Sequence, residues 1–489
     1  MDLLQILKRP ESADPIVLEP TIVELPGDLE TPVAAYLKLE PIGAKFLLES
    51  AEDPKSVGRY TFIGIAPKNR VDIRRDSCRI TGSNGSAEIE HRPEDAPFTA
   101  FKSILSRMSL SKDVPQLGLL GGLVGYAGYN CASFFEPRVP FPKDADEILG
   151  SFYLVDTLLV FDHLQRKIKV ILLNETGNTD SAKASHELLG KIRSALHGPV
   201  RIPQTRVIDS SPDYKANMTQ SAFEGMVEEA RKNIYDGNVF QIVLSQVLTG
   251  ETSADSFQIY RALRMLNPSP YMFYLEFDDL ELIGSSPEAL VKLDEDRAIV
   301  RPIAGTRRRG HSAEEDAAMA KELINDEKER AEHVMLVDLG RNDLGRICRY
   351  GSVSVPDLMH LEYYSHVIHL TSTVTGRLRA GADQFDLFRA AFPAGTVSGA
   401  PKVRAMELID EFEPTSRGPY AGSIGYFSLS GNMDMCIAIR TILKKEREVY
   451  LQAGAGIVAD SVPKLEYKET LNKIAAIKEA IRMAEEGLE

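Results

Sequence analysis

The order of strand-like and helix-like segments limits the folds that this 489-residue chain can adopt. Residues 152–161 and 167–173 are runs of β-branched and large apolar residues around a polar turn, which predicts a β-hairpin. Residues 239–244 form a similar run, whereas residues 223–234 place apolar side chains on one helical stripe. Strands and helices do not alternate regularly enough for a Rossmann or barrel pattern. We therefore predict an α+β fold with antiparallel sheets.

Composition along the chain suggests two regions joined by a linker. Residues 15–195 are rich in strand patterns, and residues 214–482 begin with a clear amphipathic helix. The stretch between them, residues 196–213, is rich in Pro, Ser and charged residues, which is typical of a connecting segment. We predict a strand-rich N-terminal region, this linker, and a C-terminal region.

Charge and cysteine content argue against several classes of partner. The net charge is −14, so the chain lacks the basic field that attracts nucleic acid. Its four cysteines are scattered without C-x-x-C spacing, which suits a reducing cytosol and predicts neither a zinc site nor disulfides. The first residues do not resemble a signal peptide, and no apolar run reaches membrane-spanning length. We expect a cytoplasmic protein without nucleic-acid or membrane partners.

Two acidic segments, far apart in the chain, carry Glu at three-residue spacing. Glu329 and Glu332 belong to the first, and Glu466 and Glu469 belong to the second. If both segments are helical, each pair lies on one helix face. Two such faces across a cleft would hold one Mg²⁺ by a few carboxylates and leave positions open for oxygens of a ligand. The spacing alone also fits ordinary solvated helix faces, and for an isolated E-x-x-E that is the commoner case.

Two glycine-rich stretches are candidates for holding an anion. Residues 394–402 lead into an amphipathic helix, and residues 452–458 precede the second acidic segment. Glycine lets the backbone approach a ligand, and a helix start offers free N–H groups. A Walker sequence is absent, which disfavours a phosphate-binding enzyme, and tight turns fit the spacing equally well. Arg440, in a strand-like run, is either a surface residue or a clamp for a carboxylate.

Four ordered motifs give the chain a family resemblance. They are PIAGTR at residues 302–307, EHVMLVDLGRND at 332–343, GTVSGAPK at 395–402 and GAGIVADS at 454–461. Together they resemble the chorismate-utilising enzymes and, within that group, component I of anthranilate synthases. The resemblance covers residues 15 to 480. It implies a large antiparallel β-sandwich flanked by helices, chorismate as the substrate, Mg²⁺ as the cofactor, and residues 214–482 as the catalytic region.

The resemblance also assigns roles to individual positions. It makes Glu332 and Glu469 direct metal ligands, with Glu329 and Glu466 supporting them. The positions implied to bind the substrate are Gly305, Thr306, Gly395, Thr396, Tyr420, Arg440, Gly454, Ala455, Gly456 and Lys473.

The catalytic positions implied by the resemblance are Glu288, His369 and Thr396. Glu288 would protonate the departing C4 hydroxyl, which requires a pKa raised by burial or by acidic neighbours. His369 would lie by the ring and assist the elimination of pyruvate. His366 stands where relatives often carry Tyr, so His369 is the preferred candidate.

Two side chains separate the sister reactions of this family. Isochorismate-forming and salicylate-forming relatives carry Lys where Gln241 stands, and aminodeoxychorismate synthases carry Lys where Ala304 stands. With neither Lys, the site fits ammonia as the nucleophile, and the implied products are anthranilate and pyruvate. The alternatives are component I of aminodeoxychorismate synthase and a sensor of chorismate or tryptophan that has lost turnover.

Two further expectations concern partners and feedback. The chain ends soon after Lys473 and has no candidate nucleophilic Cys, so we expect a separate glutamine amidotransferase subunit to supply ammonia. Residues 47–52 resemble the tryptophan-binding segment of the family, and residues 267–273 resemble the opposite wall. The resemblance therefore predicts feedback inhibition by tryptophan, bound by residues from both walls: Glu49, Ser50, Pro270, Tyr271 and Met272.

Overall fold

The computed structural model describes residues 3–10, 13–50, 58–91, 96–111, 117–144, 146–203, 213–363 and 367–488. Within these residues the chain forms two large β-sheets and eleven α-helices. The helices are α1 (Leu3–Leu7), α2 (Pro32–Leu39), α3 (Ala96–Ser106), α4 (Thr179–Leu196), α5 (Gln220–Tyr235), α6 (Ser256–Leu266), α7 (Ala313–Asn325), α8 (Glu327–Gly345), α9 (Gln384–Ala391), α10 (Lys402–Phe412) and α11 (Pro463–Glu486).

The larger sheet has 13 strands among the described residues. They are β1 (Ile16–Pro26), β2 (Ala44–Glu49), β3 (Tyr60–Ile65), β7 (Met108–Leu110), β10 (Thr157–Asp162), β11 (Lys167–Glu175), β12 (Lys215–Ala216), β13 (Gln241–Glu251), β14 (Tyr271–Glu276), β15 (Glu281–Ser286), β21 (Gly399–Ala400), β24 (Thr441–Lys445) and β25 (Glu448–Ile457). Their order is β12-β13-β25-β24-β15-β14-β2-β3-β10-β11-β1-β7, and β21 pairs with β13.

The second sheet has 12 strands in the same described ranges. They are β4 (Asn69–Ile73), β5 (Ser77–Gly82), β6 (Gly85–Glu90), β8 (Gly122–Ala127), β9 (Gly150–Val155), β16 (Ala289–Asp294), β17 (Arg297–Val300), β18 (Ile303–Arg308), β19 (Ser354–Tyr363), β20 (Val367–Arg377), β22 (Ser423–Ser428) and β23 (Met433–Ile437). Their order is β18-β20-β17-β16-β23-β22-β8-β9-β4-β5-β6, and β19 pairs with β20.

The two sheets pack face to face around one large apolar core. Phe46 and Phe273 of the larger sheet share this core with Phe152 and Phe427 of the second sheet, and all four are buried. A second core fills the space between the larger sheet and helices that include α6 and α11. Named strands pair antiparallel, with β1–β7 as the parallel exception in the described part. The predicted α+β fold, an antiparallel β-sandwich flanked by helices, is confirmed.

Each sheet contains strands from both of the regions predicted from composition. Strand β2 pairs with β14, and β8 pairs with β22, so partners lie on opposite sides of residues 196–213. Residues 204–212 of the predicted linker lie outside the described residues. The division into residues 15–195, 196–213 and 214–482 stays a prediction about the order of segments along the chain.

Local sequence patterns explain several elements. Helix α11 begins at Pro463, a residue suited to a first helical turn, and buries Ile474, Ile477 and Ile481 against the larger sheet. The hairpin predicted around residues 162–167 is present as β10 and β11. The predicted strand 152–161, however, is divided at Asp156 into β9 and β10, which belong to different sheets.

No helix in the described residues is both long and apolar enough to cross a membrane.

Candidate active site

A half-buried carboxyl group lies where β15 ends and β16 begins. Thr396 Oγ1 donates a hydrogen bond to Glu288 Oε1 at 3.0 Å, and the Ile437 N–H donates to the Glu288 carbonyl at 3.0 Å. Burial raises the pKa of Glu288 to about 8, although the hydrogen bond from Thr396 and the charge of Lys473 act in the opposite direction. Glu288 is therefore mostly protonated at neutral pH. The raised pKa that a general acid requires is present, and its main cause is burial.

Two cationic groups belong to the candidate site: Lys473 on α11, and Arg440 between two strands. Lys473 of α11 donates to the Gly454 carbonyl at 2.9 Å and pairs with Glu469 at 2.7 Å. Arg440 lies between β23 and β24, where its carbonyl accepts from the Ser285 N–H at 3.2 Å. Burial lowers the pKa of the Arg440 guanidinium, and among the described residues its side chain has no hydrogen-bond or ion-pair partner. Such a group favours an anionic ligand.

An imidazole lies on β20, opposite the positive-φ Gly305 of β18. Thr306 Oγ1 and His369 Nδ1 are 2.9 Å apart, within hydrogen-bond distance. Burial lowers the pKa of His369, so the ring is neutral near pH 7, and Arg440 is close enough to lower that pKa further. The structure therefore brings together His369, Thr306, Gly305 and Arg440. His366 lies outside the described residues.

The second glycine-rich stretch is neither a tight turn nor a loop. Gly454, Ala455 and Gly456 belong to β25, in the middle of its ladder with β13. A Cβ at Gly454 would lie 2.8 Å from the hydroxyl of Tyr420, and one at Gly456 would lie 2.8 Å from Nε2 of Gln241. The interpretation as tight turns was wrong, because the glycines are required by close side-chain neighbours rather than by chain reversal.

The first glycine-rich stretch is a short helical turn that leads through β21 into α10. A Cβ at Gly395 would lie 1.8 Å from a methyl group of Leu339 on α8, so a side chain there would require Leu339 to move. The next residue, Thr396, lies beside Glu288. The amphipathic helix predicted after this stretch is confirmed as α10, with Met406 and Ile409 buried.

Helices α8 and α11 bring the four predicted metal-binding glutamates within electrostatic range. Burial raises the pKa of Glu332, and the nearby charges of Glu329 and Glu469 raise it further, while a hydrogen bond from Gln241 lowers it. Burial also raises the pKa of Glu466, and Glu469 adds to this effect. Carboxylates that repel one another in this way fit a hard divalent cation, which would relieve the repulsion.

Basic side chains occupy part of this carboxylate group. Arg307 donates to Glu329 at 3.0 Å and to Asp326 at 2.8 Å, and Lys473 pairs with Glu469. In the described residues, no three His, Cys, Asp or Glu side chains are grouped closely enough to form a ready metal site. The metal-binding roles of the four glutamates stay predictions.

The two positions that distinguish the sister reactions both lie at this site. Gln241, at the start of β13, contacts Glu332 and the backbone of Gly456. Ala304 is buried on β18, directly before Gly305, and pairs with Leu370. Neither position carries an amine.

A separate cavity of about 290 Å³ lies between the sheets, and we call it the effector pocket. All five positions predicted to bind tryptophan line it: Glu49, Ser50, Pro270, Tyr271 and Met272. The Glu49 carboxylate accepts hydrogen bonds from Arg264 at 2.6 Å and from the hydroxyl of Tyr260. Asp434, on the same cavity, accepts from Tyr271 at 3.0 Å and lies 3.4 Å from the ammonium of Lys292. Residues 51–52 of the predicted segment lie outside the described residues.

The sequence analysis missed several of the groups that support these sites. They are Arg307, Arg264, Asp434, and the buried pair Glu413 and Arg417. The spacing of four residues between Glu413 and Arg417 is a recognisable signal for an ion pair. The other contacts join residues far apart in sequence, so local patterns could not reveal them.

Comparison with known proteins adds independent findings. A family profile described as chorismate binding enzyme matches residues 44–479. Anthranilate synthase component 1 from Aquifex aeolicus is 44% identical over 481 residues, which cover 96% of each chain. The crystal structure of anthranilate synthase component I from Streptococcus pneumoniae is 36% identical, with a TM-score of 0.75, and covers 92% of this chain and 98% of that one.

A more distant structure shares the fold. The menaquinone-specific isochorismate synthase from Escherichia coli has a TM-score of 0.70 at 19% identity and covers 98% of both chains.

Proposed function

The chain belongs to the family of chorismate binding enzymes, among relatives that are component 1 of anthranilate synthase, and we propose that it converts chorismate and ammonia to anthranilate and pyruvate. It would then be the large subunit that carries out the first committed step of tryptophan biosynthesis. The observation that carries this proposal is Glu288, a protonated carboxylic acid that accepts a hydrogen bond from Thr396 and lies within electrostatic range of Lys473.

The charges around Glu288 suit a substrate with two carboxylates. Arg440 offers a guanidinium that has no protein partner among the described residues, and Lys473 offers an ammonium near Gly454. Glu288 then donates its proton to the C4 hydroxyl, which departs as water while ammonia bonds to the ring.

The elimination of pyruvate follows from the aminated ring. His369 is neutral because burial lowers its pKa, so it can accept the ring proton as the bond to the enolpyruvyl oxygen breaks. Thr306 orients the imidazole through its contact with Nδ1. The proton that His369 accepts passes to the departing enolate, which becomes pyruvate, and the ring that remains is the aromatic ring of anthranilate.

We include Mg²⁺ in the proposal as the cofactor. Glu332 and Glu469 would hold it, with Glu329 and Glu466 in support, and when bound it would neutralise a carboxylate of the substrate. The mutual repulsion that raises the pKa of Glu332 supports this assignment. Arg307 and Lys473 reduce the negative charge of the group by pairing with Glu329 and Glu469.

A product assay tests the reaction. The purified chain is incubated with chorismate, Mg²⁺ and ammonium salt at alkaline pH, and products are separated and identified by fluorescence and mass. We expect anthranilate and pyruvate in equal amounts, and none after chelation of Mg²⁺. Aminodeoxychorismate as the main product would favour the alternative activity, that of component I of an aminodeoxychorismate synthase. Isochorismate as the main product would contradict the roles given to Gln241 and Ala304. Binding of chorismate without any product would identify a sensor.

We further propose a glutamine amidotransferase partner, component II, in a cytoplasmic complex. The relatives are named component 1, which supports a second component. The described residues include four cysteines, all buried and unpaired, so none is placed to act as an exposed nucleophile toward glutamine. We expect the isolated chain to use ammonia only, and to use glutamine after the partner is added. Use of glutamine by the chain alone would contradict this part of the proposal.

Feedback inhibition by tryptophan at the effector pocket completes the proposal. Its volume of about 290 Å³ suits an amino acid with a large side chain, and aromatic and apolar groups line it together with three carboxylates, Glu49, Asp294 and Asp434. Tryptophan bound there would shift the enzyme toward a state with weaker activity.

A further inference from the structure

Arg417 is a buried arginine outside every set of residues discussed for catalysis or substrate binding. Its side chain is 2% exposed, and that of its partner Glu413 is 5% exposed. Both lie in the segment between α10 and β22, on the side of the larger sheet that faces the loop carrying Thr396. A buried ion pair rarely contributes net stability compared with apolar packing, so its position calls for another explanation.

The Arg417 guanidinium joins two parts of the candidate active site. Nη1 donates to the Val397 carbonyl at 2.7 Å, and Nη2 donates to the Val243 carbonyl at 2.8 Å. Val397 directly follows Thr396 in the short turn beside Glu288, and Val243 pairs with Gly456 across β13 and β25. One planar group therefore links the loop that contacts the acid to β13, the strand that pairs with the glycine-containing β25.

Glu413 and Arg417 also form hydrogen bonds along β13 of the larger sheet. Strand β21 pairs with β13 only at Gln241 and Ile242. The Val243 N–H also donates to the Ser398 carbonyl at 2.9 Å. Beyond this backbone bond, Glu413 accepts from the Ser245 N–H at 2.7 Å, and Arg417 donates to the Val243 carbonyl at 2.8 Å, so two side chains continue the hydrogen bonding along β13. Glu413 itself holds Arg417 through bonds of 2.8 Å to Nε and 2.6 Å to Nη2.

Two aromatic rings pack against the Arg417 guanidinium. It lies 4.5 Å from the ring centroid of Tyr129 and 5.7 Å from that of Tyr420. The Tyr420 hydroxyl is the group that leaves no room for a side chain at Gly454. Arg417 thus contacts the loop with Thr396, the strand β13 that pairs with Gly456, and the aromatic residue beside Gly454.

We infer that Arg417 is a positioning residue for the reaction, which acts by fixing the Val397 carbonyl and thereby the hydrogen bond from Thr396 to Glu288. This inference rests on the proposed function. A lysine cannot replace the arginine, because one ammonium cannot bond two separate carbonyls and a bidentate carboxylate in one plane. Without Arg417, the buried Val397 carbonyl loses its partner and the turn with Thr396 relaxes.

The test compares Arg417→Lys with Thr396→Val, their double variant, and Arg482→Lys as the matched control. Arg482 also pairs with two glutamates on one helix, but it lies exposed near the end of α11. For each protein, kcat, KM for chorismate, the pH profile with ammonia, the melting temperature and the Kd for tryptophan are measured. Glu413→Gln provides a second variant that retains the arginine.

We expect Arg417→Lys to lower kcat about 10- to 100-fold, since small displacements of catalytic groups have effects of this size. KM should change less than about threefold, and tryptophan should bind with unchanged Kd. The alkaline limb of the pH profile should move to higher pH in both Arg417→Lys and Thr396→Val, because each weakens the hydrogen bond that lowers the pKa of Glu288. The double variant should be no slower than the slower single variant. Glu413→Gln should show the same effects in a weaker form.

Several results would overturn the inference. These are a kcat for Arg417→Lys within twofold of wild type, effects that multiply in the double variant, or a loss of kcat together with a loss of tryptophan binding. The last would show that Arg417 supports the whole fold rather than the loop. If the wild-type protein and Arg482→Lys make no anthranilate, the proposed function fails instead, and the two failures are distinguishable.

Discussion

The candidate active site and the effector pocket use charge in opposite ways. In the effector pocket, Glu49 is already paired with Arg264, and Asp434 with Lys292. In the candidate active site, Arg440 has no partner among the described residues, and like charges raise the pKa of Glu332 after burial has done so. Glu49 and Asp434 of the effector pocket thus have basic partners before a ligand arrives, whereas Arg440 of the candidate active site has none among the described residues.

This difference corresponds to the ligands that each site is proposed to bind. Tryptophan is a zwitterion with no net charge, so a pocket whose charges are paired can bind it without supplying a net charge of its own. Chorismate carries two negative charges, which an overall charge of −14 would repel unless local groups compensate. The unpaired and mutually repelling charges of the active site therefore destabilise the free protein, and the same charges favour binding of the substrate. Four substitutions test this contrast, and we take them from the largest expected effect to the smallest.

The largest effect should come from Glu288→Gln, which removes the proton donor and keeps the shape. We expect kcat to fall about 10²- to 10⁴-fold, the usual contribution of a general acid. In the wild type, activity at a fixed concentration of NH₃ should decline as the pH rises through about 8, because Glu288 then loses its proton. The variant should lack this decline. Glu19→Gln, an exposed position, is the control. A variant with near-normal kcat would refute the role of Glu288.

Arg440→Met should weaken the binding of chorismate without lowering the stability of the folded protein. Loss of a charged hydrogen bond costs about 1.5–3 kcal/mol, so KM for chorismate should rise about 10- to 100-fold. The melting temperature should not fall, because the guanidinium has no partner to lose among the described residues. The matched variant in the effector pocket is Arg264→Met, which leaves the buried Glu49 carboxylate without its ion pair and should lower the melting temperature. Equal changes in the melting temperatures of Arg440→Met and Arg264→Met would contradict the proposed difference between the two sites.

Ser50→Phe should fill the effector pocket with a ring. Overpacking typically costs about 1–3 kcal/mol, so inhibition by tryptophan should weaken about 5- to 100-fold while kcat stays within twofold. Ser86→Phe, at an exposed strand position, provides the control. Inhibition curves with ammonia as the nitrogen source measure the effect. Unchanged inhibition in Ser50→Phe would show that tryptophan binds elsewhere.

Tyr260→Phe should have the smallest effect. It removes one of the hydrogen bonds that hold Glu49, and Arg264 keeps the other. We expect tryptophan to bind about two- to tenfold more weakly by calorimetry, with synthesis unchanged. Tyr36→Phe alters the same apolar core through a hydroxyl that donates to the Ala44 carbonyl, and it should leave the affinity for tryptophan unchanged. An equal loss in both variants would indicate a general change in packing.

Sequence analysis was most successful where local patterns decide the structure. The residues after the first glycine-rich stretch predicted the amphipathic helix α10, and the apolar runs on either side of residues 162–166 predicted the β10–β11 hairpin. The raised pKa of Glu288 was expected from the chemistry of a general acid, and burial accounts for it. The motifs of the resemblance located the family before any contact was known.

Long-range contacts account for what the sequence could not predict. The strand expected at residues 152–161 divides at Asp156 because β9 and β10 pair with different partners, and no local pattern specifies partners. The glycines of β25 suggested a turn, whereas their neighbours Tyr420 and Gln241 explain them. Arg417 was overlooked for the same reason, since its carbonyl partners lie at Val243 and Val397.

The interleaving of strands from the two ends of the chain has a consequence for synthesis on the ribosome. Phe46 pairs with Leu275, and Leu123 pairs with Phe427. Strands β2 and β8 therefore stay unpaired on these edges until β14 and β22 have been translated. Until then their open edges are exposed to aggregation, and folding that depends on such distant pairings is slow. A gene fragment that ends near residue 203 would encode two incomplete sheets. Evolution could therefore not exchange the N-terminal half as an independent unit, because neither half forms a complete set of strand hydrogen bonds on its own.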